Sequence, residues 1–146
     1  MQDRIDEALE SWERLLASRR PSAADVDALA RRHAITRGKW LLFPRPGEVD
    51  AAWRAVAEAA AAGALCPSAK ISSAAAGGGG HVLAVYTDDY LDSGAVWAAC
   101  RRLQQLLPLL GDARMLYKPD VYTHLGIYSP NDLGLKPTVF RSTLGR

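Results

Sequence analysis

The feature that most constrains this fold is a change of hydrophobic period at Gly38. Residues 39–43, KWLLF, form a short apolar run that Pro44 and Pro46 end, which favours a strand over a helix. Residues 48–62 return to helical spacing, with apolar side chains on one face. A strand followed by a covering helix is therefore predicted from Gly38 onward.

Two more strands and a second covering helix follow. Residues 68–72 and 81–87 predict the two strands of a hairpin, and the glycine-rich stretch 73–80 predicts its loop. Residues 93–110 predict a helix that Pro108 ends or disturbs, and residues 114–118 predict another strand. After residue 118, Pro, Asn and Gly recur, which indicates loops and short strands along the surface.

This order of elements predicts an α+β fold, in which helices cover one face of a largely antiparallel sheet and leave the other face free for a ligand. Alternation along the strands assigns residues to faces. Lys70 and Ser72 share a face, whereas Lys39 and Trp40 point to opposite faces. Alternation alone does not decide which set faces the helices.

The first 36 residues form a different unit from residues 37–146. Apolar residues at helical spacing over 3–18 predict an amphipathic helix, and Ser22 with Asp25 predicts the start of a second one. We expect these helices to form an N-terminal arm packed on the main domain. A segment that binds a partner is the alternative.

Composition narrows the function. The chain has 146 residues, enough for one domain, and its net charge of +2 does not favour nucleic acid, which remains an allowed ligand. No apolar run approaches the roughly 20 residues of a membrane span, so we expect no membrane contact and a cytoplasmic location. Because the net charge is small, any affinity for anions must come from a local cluster of basic residues.

Lysine is distributed unevenly. The chain has only four lysines, and all of them lie in the non-helical motif segments, whereas the helices use Arg. They are Lys39, Lys70, Lys118 and Lys136. Chance clustering is one explanation, and the alternative is a need for a compact ammonium whose pKa can be tuned.

Cysteine and histidine offer no metal site. Cys66 and Cys100 are the only cysteines, and Cys100 lies in a predicted helix, where a buried thiol is expected. The three histidines, His33, His81 and His124, are scattered without ligand spacing. We therefore expect neither a metal nor a cofactor.

Several motifs resemble those of the basophilic-leukaemia-expressed protein family, which occurs in eukaryotes and bacteria, and the chain is similar to its bacterial members. The motifs are GKWLLF followed by VDAAW, then AKIS, HVLAVYTDDY, YKPDVYTHLGIY and GLKPT. The resemblance covers residues 38–140 and leaves residues 1–36 outside. It implies a fold like that of translation initiation factor 4E, a curved antiparallel sheet with a ligand cleft on its concave side.

The same resemblance implies site positions. Trp40 falls where that factor keeps a stacking Trp, and Lys70 or Ser72 falls near its phosphate-contacting strand. Together with the lysines and tyrosines, these positions predict a nucleotide, phosphopeptide or other phosphorylated small molecule as the ligand. The candidate binding residues are Lys39, Trp40, Lys70, Ser72, Tyr86, Lys118, Asp120, Tyr122, Thr123, His124 and Asn131.

Two other functions stay open. Some bacterial relatives carry a phosphothreonine lyase label, which implies elimination of phosphate by a Lys base, Lys70 or Lys118, and a His acid, His124 or His81. A protein-interaction domain is the third class, and it would use the N-terminal helices or the tail.

Overall fold

The computed structural model describes residues 2–63, 65, 68–72, 81–111, 113–128 and 131–143. The helices are α1 (Gln2–Ser18), α2 (Ala23–His33), α3 (Val49–Ala61), α4 (Ser93–Leu106) and α5 (Asp120–His124), with a 3₁₀ turn at Pro108–Leu110. The strands are β1 (Gly38–Leu42), β2 (Ala69–Ile71), β3 (Leu83–Thr87), β4 (Arg114–Pro119) and β5 (Phe140–Thr143). Within these described residues, no helix is both long and apolar enough to cross a membrane.

The five strands form one curved sheet in the order β2-β3-β1-β4-β5, and every pairing is antiparallel. The predicted α+β fold with a largely antiparallel sheet is therefore confirmed. β1 is the central strand, hydrogen-bonded to β3 on one side and to β4 on the other. Its apolar sequence suits this place, since a central strand exposes no backbone edge.

One face of the sheet is buried under α3 and α4. Trp40 and Leu42 of β1 have no exposed surface, and the Trp40 Nε1–H donates to the carbonyl oxygen of Val96 in α4 at 2.9 Å. Ala52 and Val56 of α3 belong to the same core cluster. The helix in 93–110 ends at Leu106, before Pro108, as predicted.

The opposite face carries no helix from α3 or α4, and we call it the open face. Register and alternation place on it Lys39, Leu41, Lys70, Ala84, Tyr86, Arg114, Leu116, Lys118 and Arg141. The prediction that Lys39 and Trp40 point to opposite faces is confirmed, because Trp40 is fully buried and Lys39 is not.

Helices α1 and α2 contact each other, and α2 also contacts α5. The predicted cap of α2 is present as a reciprocal capping box between Ser22 and Asp25. Trp12 and Val26 are buried in the same cluster as Trp40. The Tyr90 hydroxyl donates to Asp27 Oδ1 at 2.7 Å, which ties α2 to the loop after β3.

The prediction of loops directly after residue 118 is wrong over Asp120–His124, which form the short helix α5. Val121 and Tyr122 are buried, and Leu125 follows them into the core. Burial of these three apolar side chains outweighs the turn signals of the neighbouring Pro and Gly residues. A short strand in the tail was predicted, and β5 is present.

Two sequence predictions concern residues outside the described ranges. The glycine-rich loop falls on residues 73–80, and Cys66 also lies outside. Cys100 is a buried free thiol in α4, and burial raises its pKa.

Candidate functional site

All the charged strand residues on the open face are basic. The five strands contain five basic residues and no acidic residue, although the chain has 16 acidic residues in total. The five are Lys39, Lys70, Arg114, Lys118 and Arg141, and register places every one of them on the open face. Solvation explains why charged side chains avoid the buried face, but it does not explain their common sign.

Three side chains form a row across the three inner strands on this face, near one end of the sheet. Lys39 lies opposite Tyr86 on one neighbouring strand and opposite Lys118 on the other. Directly opposed residues have Cβ atoms about 4.5–5.5 Å apart, so the three side chains can contact one ligand together. We call Lys118, Lys39 and Tyr86 the central row.

Lys39 is neutralised by a neighbour. Its Nζ donates to Asp120 Oδ1 at 2.7 Å, and both side chains are mostly buried. The same Nζ lies 5.9 Å from the centroid of the Tyr86 ring, and the Arg37 guanidinium lies 4.4 Å from that centroid. Cations at these distances are attracted by the ring, so they hold the tyrosine in place.

In the part of the chain that the structure describes, Lys118 has no such partner. Its Nζ lies 4.2 Å from the centroid of the Tyr128 ring. Among the described residues, no carboxylate lies within ion-pair distance of this Nζ. Burial, with a smaller contribution from the charge of Lys39, lowers the pKa of Lys118. The ammonium is therefore a partly desolvated cation that an anion would stabilise.

A second row gives the open face an apolar floor. Leu41 lies opposite Ala84 and Leu116, and the row ends in Lys70 on β2 and Arg141 on β5. Ala84 is only 8% exposed, and the two leucines are half-buried. Apolar surface framed by cations suits a ligand with both an anionic group and a flat or apolar part.

A cavity of about 380 Å³ adjoins the central row at the end of the sheet. Its wall includes Asp120 and His124 of α5, and it also contains Arg4, Ile5, Ala34, Ile35, Thr36, Arg37 and Asp88. The Asp120 backbone N–H donates to the Arg37 carbonyl oxygen at 2.8 Å, which fixes the carboxylate between the cavity and Lys39. Two predicted residues, Asp120 and His124, therefore meet here.

Two of the predicted binding residues are buried in the core. Trp40 is fully buried between Trp97 and Tyr117, with ring centroids 5.4 and 5.3 Å away, so its predicted stacking role has no structural support. Tyr122 is only 2% exposed, and it packs in the core.

Three hydroxyl and amide candidates are occupied or enclosed. Asn131 bonds within its own turn, because its amide donates to the carbonyls of Tyr128 and Leu135. The Ser72 hydroxyl accepts from the backbone N–H of Val82 at 2.9 Å, beside the β2–β3 pair. Thr123 Oγ1 is buried and has no hydrogen-bond partner within the described residues.

The two catalytic candidates lie on different elements. Lys70 lies on β2, and His124 ends α5, the helix that follows β4. Three strand spacings of about 4.8 Å, roughly 14 Å in total, separate β2 from β4. Of the predicted lysines, Lys118 is the one whose strand leads directly into α5 and His124.

Four residues of the site were missing from the sequence prediction. Arg37 and Tyr128 flank the central row, and Arg114 and Arg141 extend the charge of the open face. The alternation of Arg114 with Lys118 was a usable signal. Arg141 was not identifiable, because the pairing of β5 with β4 depends on a tail without regular spacing.

A sequence model of the family described as Basophilic leukemia-expressed protein Bles03 matches residues 4–126. The prediction that residues 1–36 lie outside the family resemblance is therefore wrong. Amphipathic helices share their spacing with many unrelated proteins, so α1 and α2 offered no distinctive motif. The match also ends before the predicted GLKPT motif at 134–138. Since it spans most of the sequence, the chain belongs to the Bles03 family of basophilic leukemia-expressed proteins.

Proposed function

We propose that this protein binds a nucleotide or another phosphorylated small molecule on the open face of its sheet. The observation that carries the proposal is the sign of the charges within the strands: five residues are basic, none is acidic, and all five lie on one face. A near-neutral chain concentrates positive potential here, and phosphate is the biological anion that such a surface favours.

The central row supplies the phosphate contacts. The ammonium of Lys118, which lacks a carboxylate partner among the described residues, binds phosphate oxygens, and Lys39 shares them from the adjacent strand. Lys70 adds charge at the edge, where it is exposed. The floor of Leu41, Ala84 and Leu116 then takes the base or sugar, with Tyr86 beside it.

The likeness to translation initiation factor 4E supports the same face. That resemblance implies a ligand on the concave side of a curved antiparallel sheet, and this chain has such a sheet with one face free of α3 and α4. We place the protein in the cytoplasm, where nucleotides and phosphorylated metabolites are abundant. Fold likeness is only a secondary support, since one fold hosts many functions.

Thermal unfolding with a panel of nucleotides, inorganic pyrophosphate and phosphopeptides tests the proposal. We expect at least one of them to raise the Tm, and we expect Lys118→Gln to reduce the shift strongly and Lys70→Ala to reduce it. Arg54→Gln on α3 removes the same unit of charge outside the open face and serves as the matched control. The proposal fails if no member of the panel stabilises the wild-type protein, or if Arg54→Gln lowers the shift as much as Lys118→Gln does.

Elimination of phosphate from phosphothreonine is a second candidate function. The lowered pKa of Lys118 favours it, because a lysine must be neutral to accept a proton. Lys118 would remove the Cα proton, the Cβ–O bond would break, and His124 would protonate the departing phosphate. Mass spectrometry of a phosphothreonine peptide must then show loss of phosphoric acid with wild type and none with Lys118→Gln. An unchanged peptide mass excludes this reaction.

A further inference from the structure

We infer that the natural ligand of the open face is a single-stranded nucleic acid several nucleotides long. This inference rests on the proposed function, since it uses the same face, and it names the class of phosphorylated ligand. Three features of the open face carry it: the length of the charged surface, the placement of aromatic rings beside cations, and the lack of acidic residues in the five strands.

The charged surface is longer than one phosphate group needs. Arg141 on β5 and Lys70 on β2 end the same row, with four strand spacings between them. At about 4.8 Å each, these spacings amount to roughly 19 Å. A stacked strand carries a phosphate about every 3.4 Å, so a strand that reaches from one of these end cations to the other carries several phosphates.

The charge also extends along the strands. Arg114 lies at the start of β4 and Lys118 near its end, four residues apart, which corresponds to about 13 Å at the usual rise of a strand. A mononucleotide held at Lys118 leaves Arg114 and Arg141 without a role. A chain of phosphates can contact all of them.

Aromatic rings accompany these cations. The Arg114 guanidinium lies 5.0 Å from the centroid of the Phe43 ring, and Lys118 lies 4.2 Å from that of Tyr128. Arg37 and Lys39 lie beside Tyr86, which is in the same row as Lys118 on the other side of Lys39. Rings placed next to cations are the arrangement that binds single strands without reading sequence, since bases stack on the rings and phosphates contact the cations.

The small net charge of +2 conceals an uneven distribution of acidic and basic residues. Helix α1 carries five acidic residues, and the strands carry none. A polyanion that approaches the open face therefore encounters a local excess of positive charge, because the compensating carboxylates lie mainly on helices and loops. The open face can therefore bind nucleic acid although the whole chain is only weakly basic.

Fluorescence anisotropy of the full chain with labelled oligouridylate and oligodeoxythymidylate of about 4, 8 and 16 nucleotides tests the inference. We expect affinity to increase with length up to the octamer. Four open-face cations lack a carboxylate partner among the described residues, so log K should fall against log salt with a slope of about −3. The RNA and DNA arms show which of the two sugars the protein prefers.

Variants separate this inference from the proposed function. Arg114→Gln and Arg141→Gln should each weaken octamer binding about fivefold and make the salt slope smaller by about 0.7, with a lesser effect on ATP. Phe43→Leu should weaken octamer binding at least about fivefold without changing the salt slope. Arg54→Gln, which lies on α3, should change neither quantity.

The outcomes are distinct. If ATP stabilises the protein but octamers bind no tighter than ATP, or if Arg114→Gln and Arg141→Gln behave like Arg54→Gln, the inference is wrong and the proposed function stands. A phosphopeptide of equal charge that binds as tightly as the octamer also overturns it. If neither ATP nor any octamer binds, both proposals fall together.

Discussion

Lys39 and Lys118 face each other on adjacent strands, but in the described part of the chain only Lys39 has a carboxylate partner, Asp120 at 2.7 Å. Asp120 therefore neutralises about half of the positive charge in the central row. The Asp120 carboxylate therefore repels an anionic ligand and at the same time stabilises the fold. Its removal should change ligand affinity and stability in opposite directions.

Asp120→Asn should strengthen the binding of pyrophosphate or ATP and weaken the fold. Affinity should rise by up to about fivefold, because one repulsive charge is removed, and the free energy of unfolding should fall by about 1 kcal/mol. Titration calorimetry and urea denaturation measure the two effects. Asp50→Asn, on α3, is the matched control and should leave affinity unchanged. A loss of affinity in Asp120→Asn would show that the carboxylate contacts the ligand directly.

Binding of phosphate should depend on the protonation of Lys118. Burial and Lys39 lower its pKa, so the ammonium loses its proton below the ordinary lysine value of about 10.4. Affinity for ATP should therefore decline as the pH approaches the ordinary lysine pKa from below. In Lys118→Arg the guanidinium stays charged, so the decline should be absent over this range. Equal pH profiles for the two proteins would rule out Lys118 as the phosphate ligand.

The same pKa predicts a stability change of opposite sign. Between the lowered pKa of folded Lys118 and the ordinary value of the unfolded chain, the unfolded state binds more protons. The free energy of unfolding contributed by Lys118 should therefore rise with pH in that window. Urea denaturation of wild type and Lys118→Gln over this range checks it. The free energy of unfolding of the wild type should rise relative to that of the variant as the pH rises.

Trp40 should matter for stability and not for ligand binding. Trp40→Ala should cost about 3–5 kcal/mol, because a fully buried indole is lost. Trp40→Phe removes the indole N–H that donates to the Val96 carbonyl and leaves a smaller ring in the core, so it should cost about 1–3 kcal/mol. Urea denaturation measures both costs. If Trp40→Phe folds stably yet loses ligand binding, the ligand occupies the buried face, contrary to the placement proposed here.

Gly38→Ala should destabilise the fold although Gly38 lies in an ordinary strand conformation. A Cβ at this position would overlap the Tyr117 ring and hydroxyl, and that tyrosine is fully buried and hydrogen-bonded to Thr87. Overpacking of this kind costs about 1–3 kcal/mol. Gly47→Ala is the control, since nothing lies within 4 Å of its added Cβ. Equal Tm values for the two variants would contradict the close approach of Tyr117.

Much of the architecture was predictable from local patterns. The run KWLLF between Gly38 and Pro44 fixed the central strand, and Pro108 fixed the end of α4, because proline removes a backbone donor wherever it occurs. Helix α5 was not predictable in this way. Its five residues carry too short an apolar pattern, and the burial of Val121 and Tyr122 against elements distant in sequence decides its conformation.

The candidate site was predictable only in part. Alternation predicted that Lys39 and Trp40 point to opposite faces of the sheet, but it did not predict which of them faces the helices. That choice depends on tertiary packing, since Trp40 is held by Val96 of α4, more than 50 residues later. Lys39 and Asp120 were both identified as candidates, whereas their ion pair became evident only from the pairing of β1 with β4.

Backbone amide NMR of the ¹⁵N-labelled protein during titration with pyrophosphate tests the central proposal most directly. Binding at the open face should shift the amide signals of Lys39, Tyr86 and Lys118 and leave those of α3 and the outer side of α4 in place. Lys118→Gln should abolish these shifts. Shifts confined to the helices, or no shift in wild type at concentrations that stabilise the fold, would contradict an anion site on the open face.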